Sequence, residues 1–213
     1  MRRSGWVVLV LVAVNVAIFG LQSIVTPEHQ AALIRVFGLS TSGLEAGGWW
    51  QFLTHGFLHG NLWHLLINML SLWFAGRIVE QDFGSFRFLL LYLLGILGGG
   101  ILQMLIGSPG TLLIGASGAV FAVLLAFTTI YSDQEILALI FFVIPLRIKA
   151  RYLAWVLVGF TTLAIVFGFE PWIGHAAHLG GAITGYLFAR VLGYGRPTFL
   201  ENLGRKILKK ARA

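Results

Sequence analysis

The stretch LIGASGAVFA at 113–122 sets a hydroxyl, Ser117, between Gly115 and Gly118 in an otherwise apolar run. A serine there is either a small-residue packing element, of the kind that lets membrane helices touch, or a nucleophile in need of a base. A candidate base is His178, in HAAHLGGAITG at 175–185, where Gly181 and Gly185 follow at a spacing that lets one helix lie close to another. If that neighbour is the helix opened by Ser117, the imidazole reaches the hydroxyl. A neutral ring that takes the serine proton during attack and returns it to a leaving amine is the minimum apparatus of nucleophilic catalysis. The alternative for His178 is a hydrogen bond between helices that serves packing alone.

His64 and Asn68 lie four apart and so share one helix face. With the backbone N–H of Ser117 they could surround the oxygen of a tetrahedral intermediate, a service worth about 3–4 kcal/mol for a single fixed donor. As a mere polar contact between helices the pair would contribute about 1 kcal/mol or less. His55, His59, His64, His175 and His178 all fall near the outer ends of the second and sixth apolar segments. Imidazole suits zinc and related ions, so a metal site drawn from His55, His59, His64 and His178 is a rival reading. No carboxylate lies at the same depth, and no metal or cofactor is expected. The chain has no cysteine, which excludes disulfides and thiolate catalysis.

The elements that must position these residues follow from composition. Of 213 residues 58% are hydrophobic and only 11% charged, more apolar surface than one soluble core can hide. Six stretches approach the roughly 20 apolar residues of a membrane helix: Trp6–Ser23, Leu62–Val79, Phe88–Ile106, Gly115–Tyr131, Tyr152–Phe169 and His175–Leu192. The expectation is an all-α membrane protein, one polytopic domain over 1–213, with a long first external loop and a short fourth helix starting inside the membrane. A cleaved signal peptide is a weaker reading of the first segment, which lacks a convincing small-residue cleavage site. A seventh run at 136–146 is too short to span and reads as interfacial or loop.

Net charge is +7. With a cytoplasmic amino terminus, every Lys and Arg except Arg35 lies on or near the cytoplasmic side, as the positive-inside rule requires. The basic tail from 193 to 213 then reads as a cytoplasmic topology anchor or anionic-lipid contact, and no nucleic-acid partner is expected. The loop Val25–Asn61 is too long to be slack, and Trp49, Trp50, Phe52 and Phe57 suit the outer leaflet. In this topology the second, fourth and sixth segments all start on the outer side, so Ser117, His64, Asn68 and His178 share one depth. Four unrelated packing residues would have no reason to be level. A non-catalytic binder of membrane helices is the remaining rival.

HGNLWHLLIN in the second segment, GASG at the fourth and AHLGGAITG in the sixth together resemble the rhomboid intramembrane serine proteases. The resemblance implies Ser117 as nucleophile, His178 as general base without an acidic third member, His64 and Asn68 as the oxyanion-binding pair, and His59 as a supporting histidine. Glu80 resembles the family's acidic residue at the inner end of the second helix and is assigned a structural role. Phe121 stands where members often carry a tyrosine stacked on the histidine. Trp50-Gln51 replaces a Trp-Arg pair, which puts a charged loop anchor in doubt. The implied activity is endoproteolysis of single-pass membrane proteins near the outer face of a prokaryotic cell membrane, by a monomer or weak homo-oligomer. The fifth helix, with Trp155 and Phe160, would be the mobile side of the substrate entrance.

Overall fold

The computed structural model describes residues 5–108, 110–140, 144–169 and 173–195. Arg2, Arg3 and all but the first three residues of the basic tail lie outside the described residues. In chain order the elements are α1 (Trp6–Ile24), α2 (Pro27–Phe37), α3 (Thr41–Glu45), α4 (Gln51–Thr54), α5 (Leu62–Ser71), α6 (Arg77–Phe83), α7 (Ser85–Ile106), α8 (Ser117–Ile130), strands β1 (Glu135–Ile140) and β2 (Ile144–Lys149), α9 (Ala150–Phe167) and α10 (His175–Val191). A π turn at Leu72–Gly76 joins α5 to α6 in one continuous rod.

The chain is a helical integral membrane protein. Trp6–Ile24, Leu62–Phe83, Ser85–Ile106 and Ala150–Phe167 are long and apolar enough to cross a bilayer. The second apolar segment runs on to Phe83 rather than ending at Val79, and the third starts at Ser85 rather than Phe88. The fifth is shifted two residues toward the amino terminus, and the fourth starts at Ser117 because Gly115, at φ +119°, cannot be helical.

In the run at 136–146 the loop alternative is replaced by strand: β1 and β2 pair antiparallel, Glu135 opposite Lys149 and Ile140 opposite Ile144. A short run of Ile and Leu is ambiguous between states. In a two-stranded hairpin both strands are edges, where proline is tolerated.

Burial in α1 takes in polar residues alongside Val7, Val8 and Leu11. Asn15 and Gln22 are buried while Leu9, Val10 and Leu21 are about half exposed. Asn15 Nδ2 donates to Leu11 O at 2.8 Å and to the Tyr92 hydroxyl at 3.1 Å. Lipid is the solvent outside, so polar groups turn inward to find partners. The first N–H groups of α1, which have no partner within the helix, are met by Glu80: its carboxylate accepts from Val7 N–H at 3.1 Å, Val8 N–H at 3.0 Å and the Ser85 hydroxyl at 2.7 Å. That places a negative charge where a helix start favours one.

The core helix is α8, eight of whose 14 residues are buried. It packs against α7 and α10 through glycines. A Cβ on Gly95 would meet Ala122 Cβ at 2.7 Å, one on Gly181 would run into the Gly118 carbonyl oxygen, and one on Gly185 into the Ala122 carbonyl oxygen. Only glycine permits backbones this close.

Two stability outcomes follow, both read by thermal unfolding in detergent. Glu80→Ala strands the Val7 and Val8 N–H groups and should cost about 2–3 kcal/mol, with Glu80→Gln losing less because one acceptor oxygen remains. Gly181→Ala should cost about 1–3 kcal/mol by overpacking. Gly159→Ala on α9, where a Cβ meets nothing within 4 Å, should be neutral or stabilising.

Candidate active site

The backbone before Ser117 is held by the first loop. Leu39 and Leu113 form an isolated antiparallel bridge, with N–H to O distances of 2.9 and 2.8 Å, and Gly115 N–H donates to His55 O at 2.9 Å. The loop at Val25–Asn61 is therefore ordered, contains α2 to α4, and satisfies polar backbone that α7 and α8 leave open. From this braced turn the chain enters α8, with Ser117 as its first residue and half-buried. As in any first turn, the N–H groups of Ser117 and Gly118 have no partner within the helix.

His178 stands one turn into α10, its Nε2 at 2.9 Å from Ser117 Oγ. The ring of Phe121, one turn after Ser117, stacks on the imidazole with centroids 4.4 Å apart and planes 4° from parallel. The stacking surface is thus kept in the phenylalanine, without a hydroxyl. His64 lies in the first turn of α5, where the Asn61 side chain caps its N–H at 2.9 Å. Its imidazole packs on the Cα of Gly115: a Cβ there would sit 2.6 Å from both Cε1 and Nε2 of His64. Glycine at 115 thus serves both the positive φ and the histidine.

Asn68 is buried one turn further along α5, and its Nδ2 donates one hydrogen to His64 O at 2.9 Å. The second amide hydrogen is left for another acceptor. His59 is fully buried, edge-on to His64 at 5.1 Å. Its main chain is clamped by Gln22 of α1, which accepts from His59 N–H at 3.2 Å and donates to its carbonyl at 3.3 Å. The structure thus gathers Ser117, His178, Phe121, Gly115 and His64 around one point, with His59 behind His64.

His55 plays a different part. Its Nδ1 donates to Gln51 O at 2.8 Å, and its carbonyl holds Gly115. His55, His59, His64 and His178 form no group of three or more that could hold a metal ion among the described residues. A cavity of about 50 Å³, enough for several waters, is lined by Gln103, Ser108, Ala164, Phe169 and His175. The His175 ring on this cavity is edge-on to His178 at 6.0 Å.

Two glutamines, Gln22 and Gln103, carry support that the sequence reading did not name, and a third, Gln51, was named there only as a departure from the family pattern. Gln103 accepts from Ala177 N–H at 3.2 Å and so fixes the backbone next to His178. Gln22 holds His59. Gln51, 2% exposed, donates through Nε2 to Arg35 O and Val36 O, both at 3.1 Å, and accepts from Ser40 N–H at 3.2 Å. The loop anchor that seemed in doubt without an arginine is present as a neutral amide. A polar residue inside an apolar span was the available signal for Gln22 and Gln103.

Comparison with known proteins agrees with this arrangement. The Rhomboid domain family model matches residues 46–195, which take in the braced loop, α5 to α10 and all the residues above except Gln22 and the first part of the loop. The chain is 35% identical over 150 residues to RHOMBOID-like protein 4 of Arabidopsis thaliana, covering 67% of this chain and 34% of that protein. It is 29% identical over 224 residues to RHOMBOID-like protein 1 of the same plant, covering 87% and 53%. To the Rhomboid protease GluP of Bacillus subtilis (strain 168) it is 30% identical over 184 residues, covering 85% and 34%. The chain thus spans between a third and about half of the length of these relatives. With the family model matched across the whole helical core that carries Ser117 and His178, the chain belongs to the rhomboid family.

Proposed function

We propose that this chain is an intramembrane serine endopeptidase that cuts single-pass membrane proteins near the extracytoplasmic face. The observation that carries this reading is the 2.9 Å contact between Ser117 Oγ and His178 Nε2, a nucleophile and a base already in hydrogen-bond range. The family supports it, one relative being named a rhomboid protease.

In this reading α1, α5–α6, α7, α8, α9 and α10 are six spans, with both termini cytoplasmic and the protein in a prokaryotic cell membrane as a monomer or weak homo-oligomer. At 14 residues α8 is about 21 Å long, short of a hydrocarbon layer of about 30 Å. Ser117 therefore starts its helix within the membrane, on braced non-helical backbone of the kind tolerated only against protein or water.

The chemistry runs as follows. Ser117 gives its proton to neutral His178 Nε2 while Oγ attacks the scissile carbonyl carbon. The carbonyl oxygen becomes an oxyanion, which receives hydrogen bonds from Ser117 N–H, the His64 ring and the free amide hydrogen of Asn68. His178 then protonates the leaving amine, and the acyl group stays on Ser117. Water, deprotonated by the same imidazole, attacks the acyl carbon, and the imidazolium returns that proton to Ser117 Oγ as the carboxyl product leaves. No acidic third residue is needed because Phe121 holds the ring plane by stacking. His59, packed on His64, supports the oxyanion side, and α9 is the movable wall through which a substrate helix enters.

A fluorophosphonate probe tests the pair directly. Labelling should require Ser117, being lost in Ser117→Ala and strongly reduced in His178→Ala while both variants unfold at the wild-type temperature. Undiminished labelling of Ser117→Ala would sink the assignment, and no labelling of the wild-type protein would favour a non-catalytic binder. Asn68→Ala should lower kcat on a transmembrane substrate by about 10²-fold, the scale of one oxyanion donor, with KM little changed. An unaltered kcat removes Asn68 from that role.

A further inference from the structure

The proposed activity makes no use of the β1–β2 hairpin, and its register shows a pronounced division. Glu135 is opposite Lys149, Ile136 opposite Ile148, Leu137 opposite Arg147 and Ala138 opposite Leu146. Side chains alternate along a strand, and directly opposed residues share a face. Ile136, Ala138, Ile144, Leu146 and Ile148 therefore occupy one face. Glu135, Leu137, Pro145, Arg147 and Lys149 occupy the other, which holds every charge in the two strands together with the exposed Leu137.

The apolar face is not spent on the protein core, since Ile144 is 57% and Leu146 42% exposed. Its place in the fold says what covers it. The hairpin leaves the end of α8 opposite Ser117 and runs straight into α9, the join being closed by Ala150 N–H to Gln134 O at 3.0 Å and Arg151 N–H to Ser132 O at 3.1 Å. α9 is long and apolar enough to cross the bilayer, and Tyr152 and Trp155 in its first turns are exposed, as interfacial aromatics are. The hairpin is therefore level with a membrane boundary. At that boundary an apolar face meets acyl chains, and the cationic ends of Arg147 and Lys149 reach lipid phosphates.

We propose that the paired strands β1 and β2 are a membrane-interface foot. It lies in the headgroup layer of the leaflet at the α8 carboxyl end, with Ile136, Ile144, Leu146 and Ile148 on the acyl chains. Arg147 and Lys149 pair with anionic phospholipid, and the foot fixes the base of α9 at that depth. The assignment is independent of the protease reading.

The absence of cysteine makes site-directed spin labelling direct. Leu146→Cys and Arg147→Cys, adjacent on β2 but on opposite faces, are labelled with a nitroxide in the full chain. The protein is then reconstituted in phosphatidylcholine vesicles with about a quarter phosphatidylglycerol, an anionic surface comparable to a cell membrane. Relaxation of the label by oxygen, which concentrates in lipid, should exceed relaxation by a water-soluble nickel chelate severalfold at position 146, with the order reversed at 147. Equal ratios at the two positions would overturn the foot. So would water-like ratios at both, or shielding from both agents at 146, the mark of a face covered by protein. Depth at 146 should also increase with phosphatidylglycerol, and that dependence should vanish when Lys149→Gln and Arg147→Gln are added. Depth indifferent to phosphatidylglycerol in the parent removes the phosphate pairing.

Discussion

The Gly118 carbonyl against the Cα of Gly181 is the contact on which the rest depends. Lipid tails are as apolar as leucine, so helices in a bilayer are held by close packing rather than by a hydrophobic drive between them. Ser117 immediately precedes Gly118, and His178 lies one turn before Gly181 on the facing helix. The separation that lets carbonyl oxygen meet Cα is the same separation that puts Oγ and Nε2 at 2.9 Å. Phe121, four residues after Ser117, arrives on the imidazole face by helix geometry alone. Packing seam and candidate site are one structure, and anything that widens the first acts on the second.

Such a seam would fail if the backbone leading into it were unsatisfied. The described residues between Ile106 and Ser117 are not helical, and their N–H and C=O groups need partners that lipid cannot supply. The first loop supplies them through Leu39 and His55. The loop in turn is tied down by Gln51, as His59 is by Gln22 and Ala177 by Gln103. Each of these fasteners is a neutral amide, which offers donors and an acceptor at a far lower desolvation cost than a charged group. The charged exception, Glu80, sits where a helix start and a serine hydroxyl compensate it.

The parts legible in sequence were those with a strong local contrast. Ser117, His64, Asn68 and His178 stood out because a polar or small residue is costly or unusual in an apolar span, and the spans stood out by length. The contacts that build the site's support carry no such signal. Leu39 and Leu113 are ordinary leucines whose backbones pair across 74 positions of sequence, and no pattern in either segment announces it. The hairpin was hidden because five or six apolar residues fit a strand or a helix turn equally well until a partner fixes the register. The glutamines were visible but carry no titratable proton, so a search for chemistry passed them by. Gln51 was weighed by the charge it lacks rather than by the hydrogen bonds it can make.

The burial of α9 sets which wall gives way. Three of its 18 residues are buried, Ala150, Thr161 and Ala164, against eight of 14 in α8. Ala150 is at the hairpin base, where the Gln134 and Ser132 carbonyls hold the first turn, so the fully buried residues in the upper part of α9 are Thr161 and Ala164, with Phe160 edge-on to His175 at 5.9 Å. Moving it exchanges a few side-chain contacts for lipid contacts of the same kind, because its exposed residues already face lipid. Moving α5 instead would pull His64 from Gly115 and the Asn61–Leu65 turn from the chain that Gln22 clamps. Moving α10 would separate Gly181 from Gly118. A helix anchored at its base and sparsely buried along its upper half is the one whose displacement costs least in the proposed protease reading, and Phe160 on it borders His175, beside His178.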